Sequence, residues 1–212
     1  VTTTSDGQGM LTLQGDNIVT GNIGATGKSL GAMDLTGGAG TTVEINGDVY
    51  VFDADIAAGT LDMNGSFYDL NNLTNNGTMN VGSASAEGIA TGSGDDTITN
   101  SGTITIDYAA CAGIQMQEGD DTLDNKAGAT ITVTTSDGGG IGMGSGYDTL
   151  TNDGTIDIGS VSSAGINLGY GDDDLINTGS INIGSVGCGG IMTGSGDDTI
   201  TNSGTITIDY AA

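Results

Sequence analysis

TGSGDDTITNSGTITIDYAA occupies residues 91–110 and returns without a change at residues 193–212. Three diverged versions of the same unit lie between the two copies, so this segment is a tandem array. Aligned on an opening Gly-Ile pair, the units begin at Gly88, Gly113, Gly140, Gly165 and Gly190, with spacings of 25, 27, 25 and 25 residues. Local patterns within the array are therefore positions of one repeating unit.

Apolar residues recur at four fixed positions of the repeat. Because alternate residues of a strand share a face, these columns can all point inward while Thr, Asp and Asn between them point outward. The pattern predicts an all-β protein, a parallel β-solenoid (β-helix) with about 25 residues and three short strands per coil. The columns are Ile89, Ile114, Ile141, Ile166 and Ile191; Ile98, Leu123, Leu150, Leu175 and Ile200; Ile104, Ile131, Ile156, Ile181 and Ile206; and Ile106, Val133, Ile158, Ile183 and Ile208.

The same pattern divides the chain into three stretches of one continuous solenoid. Residues 88–212 form the regular array of five repeats. Residues 66–87 form a partial repeat, in which LTNNGTMNVG matches the later ITNSGTITID but the acidic loop is absent. Residues 1–65 predict irregular coils, because strand-like alternations there are separated by Gly and Asn and no helical period occurs.

The composition restricts the classes of function. The chain of 212 residues has 41 Gly, no Pro, no His, two basic residues (Lys28 and Lys126) and a formal net charge of -25. Such a charge repels nucleic acid and anionic membranes and attracts cations. No apolar run approaches the ~20 residues of a membrane helix, so membrane insertion is not expected. Without a cluster of acids beside Arg, Lys or His, the chain is also not expected to be an enzyme.

A column of asparagines precedes the second corner of each unit. Asparagine tolerates left-handed turns, and its amide can bond to the amides above and below it in a stack. We therefore predict a structural amide ladder. Its members are Asn75, Asn100, Asn125, Asn152, Asn177 and Asn202.

The acidic loop is the one candidate site. TGSGDDTIT at residues 91–99 resembles the calcium-binding nonapeptide of the repeats-in-toxin (RTX) family, G-G-x-G-x-D-x-U-x, and departs from it at the first Gly. In that family the turn supplies carbonyl oxygens and the Asp a carboxylate to Ca²⁺ between stacked turns. By this resemblance the metal ligands would be Asp95, Asp96, Asp120, Asp121, Asp148, Asp172, Asp173, Asp197 and Asp198.

Two departures from the family leave the role of this loop open. The nonapeptide occurs once per ~25 residues rather than back to back, and Thr, Met or Leu replaces its first Gly. Stacked carboxylates ~4.8 Å apart would repel one another by about 3.5 kcal/mol at an effective dielectric constant of 20, which favours some counterion. The alternatives are specific Ca²⁺ sites and an outward-facing acidic stripe screened by diffuse cations.

The first third of the chain carries a second resemblance. NIVTGNIGATGKSLGAMDL and GTTVEINGDVYV are similar to the passenger regions of bacterial autotransporters and related surface antigens. That family implies an extracellular β-helix at the bacterial cell surface. Cys111 and Cys188 stand at equivalent positions three repeats apart, roughly 14 Å at one coil per ~4.8 Å, and are predicted to be free thiols.

These observations together predict a structural function. The chain begins with VTTTSDGQGM, which resembles VTTSDGGGIGM at residues 133–143, and ends inside a unit. We expect the protein to bind itself, stacking head-to-tail into a surface fibre, matrix filament or surface layer. The alternatives are a segment of a large repeat adhesin and, from the T-x-T rows such as residues 103–105, an ice-binding surface.

Overall fold

The computed structural model describes residues 1–82 and 87–209 as a parallel β-solenoid of about eight turns, with about 25 residues per turn. The predicted fold class is confirmed. Residues 83–86, at the end of the partial repeat, and residues 210–212, at the end of the second copy of the repeated stretch, lie outside the described part of the chain. Because residues 1–82 and 87–209 contain no helix, none of their segments is a helix long and apolar enough to cross a membrane.

The described residues form 24 short strands. In chain order they are β1 (Met10–Leu13), β2 (Asn17–Thr20), β3 (Leu30–Leu35), β4 (Thr42–Asn46), β5 (Val49–Ile56), β6 (Thr60–Met63), β7 (Phe67–Leu70), β8 (Asn72–Asn75), β9 (Thr78–Gly82), β10 (Ile89–Thr91), β11 (Thr97–Asn100), β12 (Thr103–Ala109), β13 (Ile114–Gln115), β14 (Thr122–Asn125), β15 (Thr130–Ser136), β16 (Ile141–Gly142), β17 (Thr149–Asn152), β18 (Thr155–Val161), β19 (Ile166–Asn167), β20 (Asp174–Asn177), β21 (Ser180–Ile183), β22 (Ile191–Met192), β23 (Thr199–Asn202) and β24 (Thr205–Ile208).

The strands make two parallel sheets that enclose the core. The nine-stranded sheet has the order β2-β4-β6-β9-β12-β15-β18-β21-β24. The fifteen-stranded sheet has two wings that meet at β5: one continues through β8 to β23, and the other through β7 to β22. From β7 onward each coil therefore contributes three strands, as the repeat predicts.

The apolar columns of the sequence are the core of the solenoid. Ile98 pairs with Leu123, and Leu123 with Leu150, in strict parallel register. All three side chains are fully buried. Burial of a side chain of this size contributes about 1.5–3 kcal/mol relative to exposure, so each column adds a similar increment per coil.

The first third follows the same plan with less regular coils. Five strand-like alternations of its sequence, at residues 10–13, 33–35, 42–45, 49–51 and 61–63, coincide with a strand or lie within one: β1, β3, β4, β5 and β6. The partial repeat forms a coil of its own from β7, β8 and β9, and β8 pairs in register with β11 of the first regular unit. Lack of an acidic loop therefore does not interrupt the stack.

Candidate functional site: the acidic corner

The acidic loops form one corner of the solenoid, between the shortest strand of each coil and the next strand. The second Gly of each loop is required by the backbone, since Gly146 and Gly171 have φ of 147° and 139°. Stacking adds a second requirement: a Cβ on Gly171 would lie 1.6 Å from the carbonyl oxygen of Gly146 in the preceding coil. Only glycine meets both conditions.

The turns are bonded to one another through their backbones. The Ser145 N–H donates to the Gln117 carbonyl of the preceding coil, and the Gly146 N–H donates to the Tyr170 carbonyl of the following coil, each at 2.9 Å. The same bridge continues from Ser93 through Glu118, Ser145 and Tyr170 to Ser195. These turn carbonyls therefore already accept hydrogen bonds within the stack.

The last Asp of each turn points into the solenoid, and we call this column the inner aspartates. They are Asp96, Asp121, Asp148, Asp173 and Asp198, and the first four are 1–2% exposed. The backbone N–H of one inner aspartate donates to Oδ1 of the inner aspartate in the next coil, as the Asp121 N–H does to Asp148 Oδ1 at 2.9 Å. The remaining oxygen, Oδ2, has no hydrogen-bond partner in Asp96, Asp121, Asp148 or Asp173. An outward-facing stripe at these positions is therefore wrong, because the turn directs this side chain toward the core.

Burial without a basic partner changes the acidity of this column. It raises the pKa of Asp121 to about 7 and that of Asp148 to about 6, and neighbouring carboxylates of the stack add to the shift. Burial also raises the pKa of Asp96 and Asp173. The one ion pair among the described residues joins Lys126 to Asp124, outside this column. Near neutral pH Asp121 and Asp148 can therefore hold protons.

The preceding Asp of each turn forms a second, exposed row, which we call the outer aspartates. They are Asp95, Asp120, Asp172 and Asp197. Their hydrogen bonds run in the opposite direction along the axis: Asp95 Oδ1 accepts from the Asp120 N–H at 3.0 Å, and Asp172 Oδ1 from the Asp197 N–H at 2.8 Å. Tyr147 takes the place of an aspartate in one coil and interrupts the row.

The inner aspartates do not fit the calcium site that the RTX resemblance implies. That site needs free turn carbonyls and carboxylates from two half-sites, whereas here turn carbonyls and Asp Oδ1 atoms accept backbone N–H groups. In residues 1–82 and 87–209, no three Asp, Glu, Cys or His side chains come together to hold a metal ion. The outer aspartates differ from the inner ones in being exposed.

The asparagine column forms a hydrogen-bonded ladder along the next corner. Asn100 Nδ2 donates to Asn125 Oδ1 at 2.9 Å and to the Thr130 carbonyl at 3.0 Å. The same amide-to-amide bond, 2.7–2.9 Å long, links Asn75, Asn100, Asn125, Asn152, Asn177 and Asn202 in order. All but Asn202 are fully buried, so the ladder satisfies polar groups that have no access to water.

Sequence reasoning missed that a neighbouring column makes the acidic corner apolar on its inner side. The residue that replaces the first Gly of the nonapeptide points inward, as the buried Met116, Met143 and Leu168 do. The signal was present in the departure from the family motif, because a large apolar residue at a Gly position indicates a filled space rather than an ion site. Cys111 and Cys188 are free thiols, as predicted, and both are exposed.

Comparison of the chain with protein families, with curated proteins and with solved structures yields no match.

Proposed function

We propose that the protein is a structural β-solenoid that stacks head-to-tail into a fibre, filament or layer at the bacterial cell surface. The supporting observation is the edge formed by β22, β23 and β24. There Met192, Ile200 and Ile208 are 43%, 43% and 38% exposed, whereas Ile98, the equivalent of Ile200 in an inner coil, is fully buried. A further coil on this edge would bury these columns and pair the open strands.

The two ends of the described solenoid carry the same apolar columns. A continuous path of paired residues connects Leu11 to Ile200 through the first wing of the larger sheet. A second path connects Val19 to Ile208 through the nine-stranded sheet. Axial stacking of two copies places Leu11 on Ile200 and Val19 on Ile208, a heterologous contact that extends without closing.

Sedimentation velocity and negative-stain microscopy over a range of protein concentrations test this proposal. The variant Ile200→Glu places a charge in the column that the next copy must cover, and it should abolish fibres. The matched variant Thr201→Glu carries the same charge on the neighbouring outward position and should leave them intact. Wild-type protein that stays monomeric throughout, or fibres indifferent to Ile200→Glu, would refute head-to-tail stacking.

We expect divalent cations to bind the outer aspartates of the stacked protein. Ca²⁺ prefers carboxylate and carbonyl oxygens on flexible turns, and an exposed row of carboxylates offers the first of these. Fibre length and thermal midpoint should then respond to millimolar Ca²⁺ and to EGTA. The response should weaken in a variant with Asp95→Asn, Asp120→Asn and Asp172→Asn; an unchanged response would place the ion elsewhere.

An adhesin segment is the second candidate, and one surface feature favours it. Tyr147 and Tyr170 lie in adjacent coils of the acidic corner and are 64% and 72% exposed. Exposed aromatic residues are enriched at recognition surfaces. Binding to a glycan array that is lost in the double variant Tyr147→Ala, Tyr170→Ala, in protein that never forms fibres, would support adhesion over the scaffold.

A further inference from the structure

The edge formed by β22, β23 and β24 has a counterpart inside the solenoid whose partner is present. Residues 193–209 have the same sequence as residues 91–107, which lie in the coil of β10, β11 and β12. The next coil is seated on that inner one, and its strands β13, β14 and β15 pair with β10, β11 and β12 in parallel register. The coil of residues 113–136 therefore shows what fits on a surface of this sequence.

Two polar groups of the inner coil bond to side chains of its partner. Asn100 Nδ2 donates to Asn125 Oδ1 at 2.9 Å and to the Thr130 carbonyl at 3.0 Å. The Asp96 N–H donates to Asp121 Oδ1 at 2.8 Å. The partner coil thus supplies an inward Asp at one corner and an inward Asn at the next, in addition to its apolar columns.

The same two donors stand open at the edge. Asn202, the copy of Asn100, is exposed, and among the described residues its Nδ2 donates only to the Gly204 carbonyl, at 3.4 Å. The Asp173 N–H donates to Asp198 Oδ1, so the Asp198 N–H, next in this series, faces the open edge. A coil that covers the edge therefore buries an amide and a backbone N–H that both need acceptors.

The first coil of another copy does not supply these side-chain acceptors. Axial stacking of two copies places Leu13 on Asn202, because one column of paired residues connects the two. Gly9 corresponds to Asp198, since each lies four residues before the other member of its pair, and Gly9 has no side chain. Head-to-tail stacking therefore joins the apolar columns but leaves two donors without side-chain acceptors, which is unfavourable once they are buried.

We propose that this edge binds a coil of the regular-repeat type, with an inward Asp and an inward Asn four residues apart, in preference to the first coil of another copy. The partner is a polypeptide segment with the pattern of residues 113–136, which adds parallel strands to the edge through backbone hydrogen bonds. Its Asp accepts the Asp198 N–H, and its Asn extends the ladder from Asn202. The inference rests on the proposed function in that both require the same open edge.

Fluorescence anisotropy with a labelled peptide of residues 112–139 tests this proposal. The protein is the full-length variant Leu11→Glu, whose charged first coil cannot stack on another copy. The control peptide carries Asp121→Gly and Asn125→Leu, which puts the residues of the first coil at the two acceptor positions. It also has one negative charge fewer, so repulsion by a protein of net charge -25 would favour the control.

The unmodified peptide should bind at least about tenfold more tightly than the control at about 0.15 M salt, because it alone pairs both donors. Equal affinities, or no binding of either peptide, would overturn the proposal. Wild-type fibres found together with equal affinities would overturn this preference and leave head-to-tail stacking in place. Preferential binding to a protein whose wild type never forms fibres would support the preference and refute the stacking.

A pair of variants locates the binding on the protein. Asn202→Leu removes the donor at the edge, so the unmodified peptide should bind at least about tenfold more weakly, whereas the control peptide should bind as well as before. Thr201→Leu places the same residue on the neighbouring outward position of β23 and should change either affinity less than about twofold. An equal loss in both variants would overturn the assignment to this edge.

Discussion

At the scale of single residues, the inner aspartates combine deep burial with an unpartnered oxygen. The pKa of Asp121 in the fold, about 7, exceeds the value of ~3.9 for an unfolded chain, and the groups facing it, Asp148, Asp96 and Asp95, are all acidic. The folded protein therefore binds more protons than the unfolded one between these values, and stability falls as pH rises. We expect the thermal midpoint to be highest near pH 4, to fall up to about pH 7 and then to level off.

The variant Asp121→Asn isolates this effect. Asparagine keeps the Oδ1 acceptor for the Asp96 N–H but cannot ionise, so at pH 8 the variant should be more stable than wild type by on the order of 2 kcal/mol. At pH 4 the difference should vanish. Urea unfolding at both pH values measures it, with Asp120→Asn as the exposed control; a wild type that gains stability on alkalinisation would contradict the argument.

The asparagine ladder predicts that the stability lost on substitution of an asparagine depends on its position in the ladder. Asn125→Ala removes one of the acceptors of Asn100 Nδ2, which keeps its bond to the Thr130 carbonyl, and it removes the donor to Asn152 Oδ1. The loss of buried hydrogen bonds should cost about 1–3 kcal/mol. Asn202→Ala, at the exposed end of the ladder, should cost less than about 1 kcal/mol. Chemical denaturation of the two variants compares them, and equal losses would mean that the ladder adds nothing beyond packing.

At the scale of the element, the glycines of the acidic turns meet two different requirements. Some need only a positive φ, and others must also leave room for the neighbouring turn. Gly94 and Gly171 both have positive φ, 122° and 139°, but a Cβ on Gly94 would meet nothing within 4 Å, whereas one on Gly171 would meet a carbonyl oxygen. Gly94→Ala should therefore cost about 1 kcal/mol, and Gly171→Ala at least twice as much. Thermal unfolding of both variants measures the difference in stability. Equal losses would show that the neighbouring turn moves to accommodate the added methyl group.

The same turn shows where sequence reasoning succeeds and where it fails. The strand faces follow from alternation, since Ile104 and Ile106 can be buried together only in an extended strand. The direction of Asp121 does not, because it is set by the φ of Gly119 and by the Asp96 N–H of the adjacent coil rather than by a period of two. The motif located the acidic corner, but it does not show that backbone N–H groups of stacked turns occupy the carboxylate oxygens.

At the scale of the whole molecule, each coil contacts only its neighbours, so stability should be nearly a sum of coil and interface contributions. Deleting one complete coil, residues 113–139, joins Ala112 to Gly140 and brings two equivalent coils together. Ile98 then faces Leu150, and Asn100 faces Asn152, with the Asp, Asn and apolar columns all continuous. We expect this variant to fold with unchanged secondary structure and a urea m-value lower by about an eighth, because m scales with the surface exposed on unfolding.

The matched deletion of residues 113–125 removes half a coil and places strands of one sheet against those of the other. Every column is then broken at the junction, and the stack should lose cooperativity or fail to fold beyond it. Circular dichroism and urea unfolding of the two variants distinguish the outcomes. If the half-coil deletion folded as well as the complete one, registered columns would not be what holds this solenoid together, and the axial contact proposed between copies would lose its physical basis.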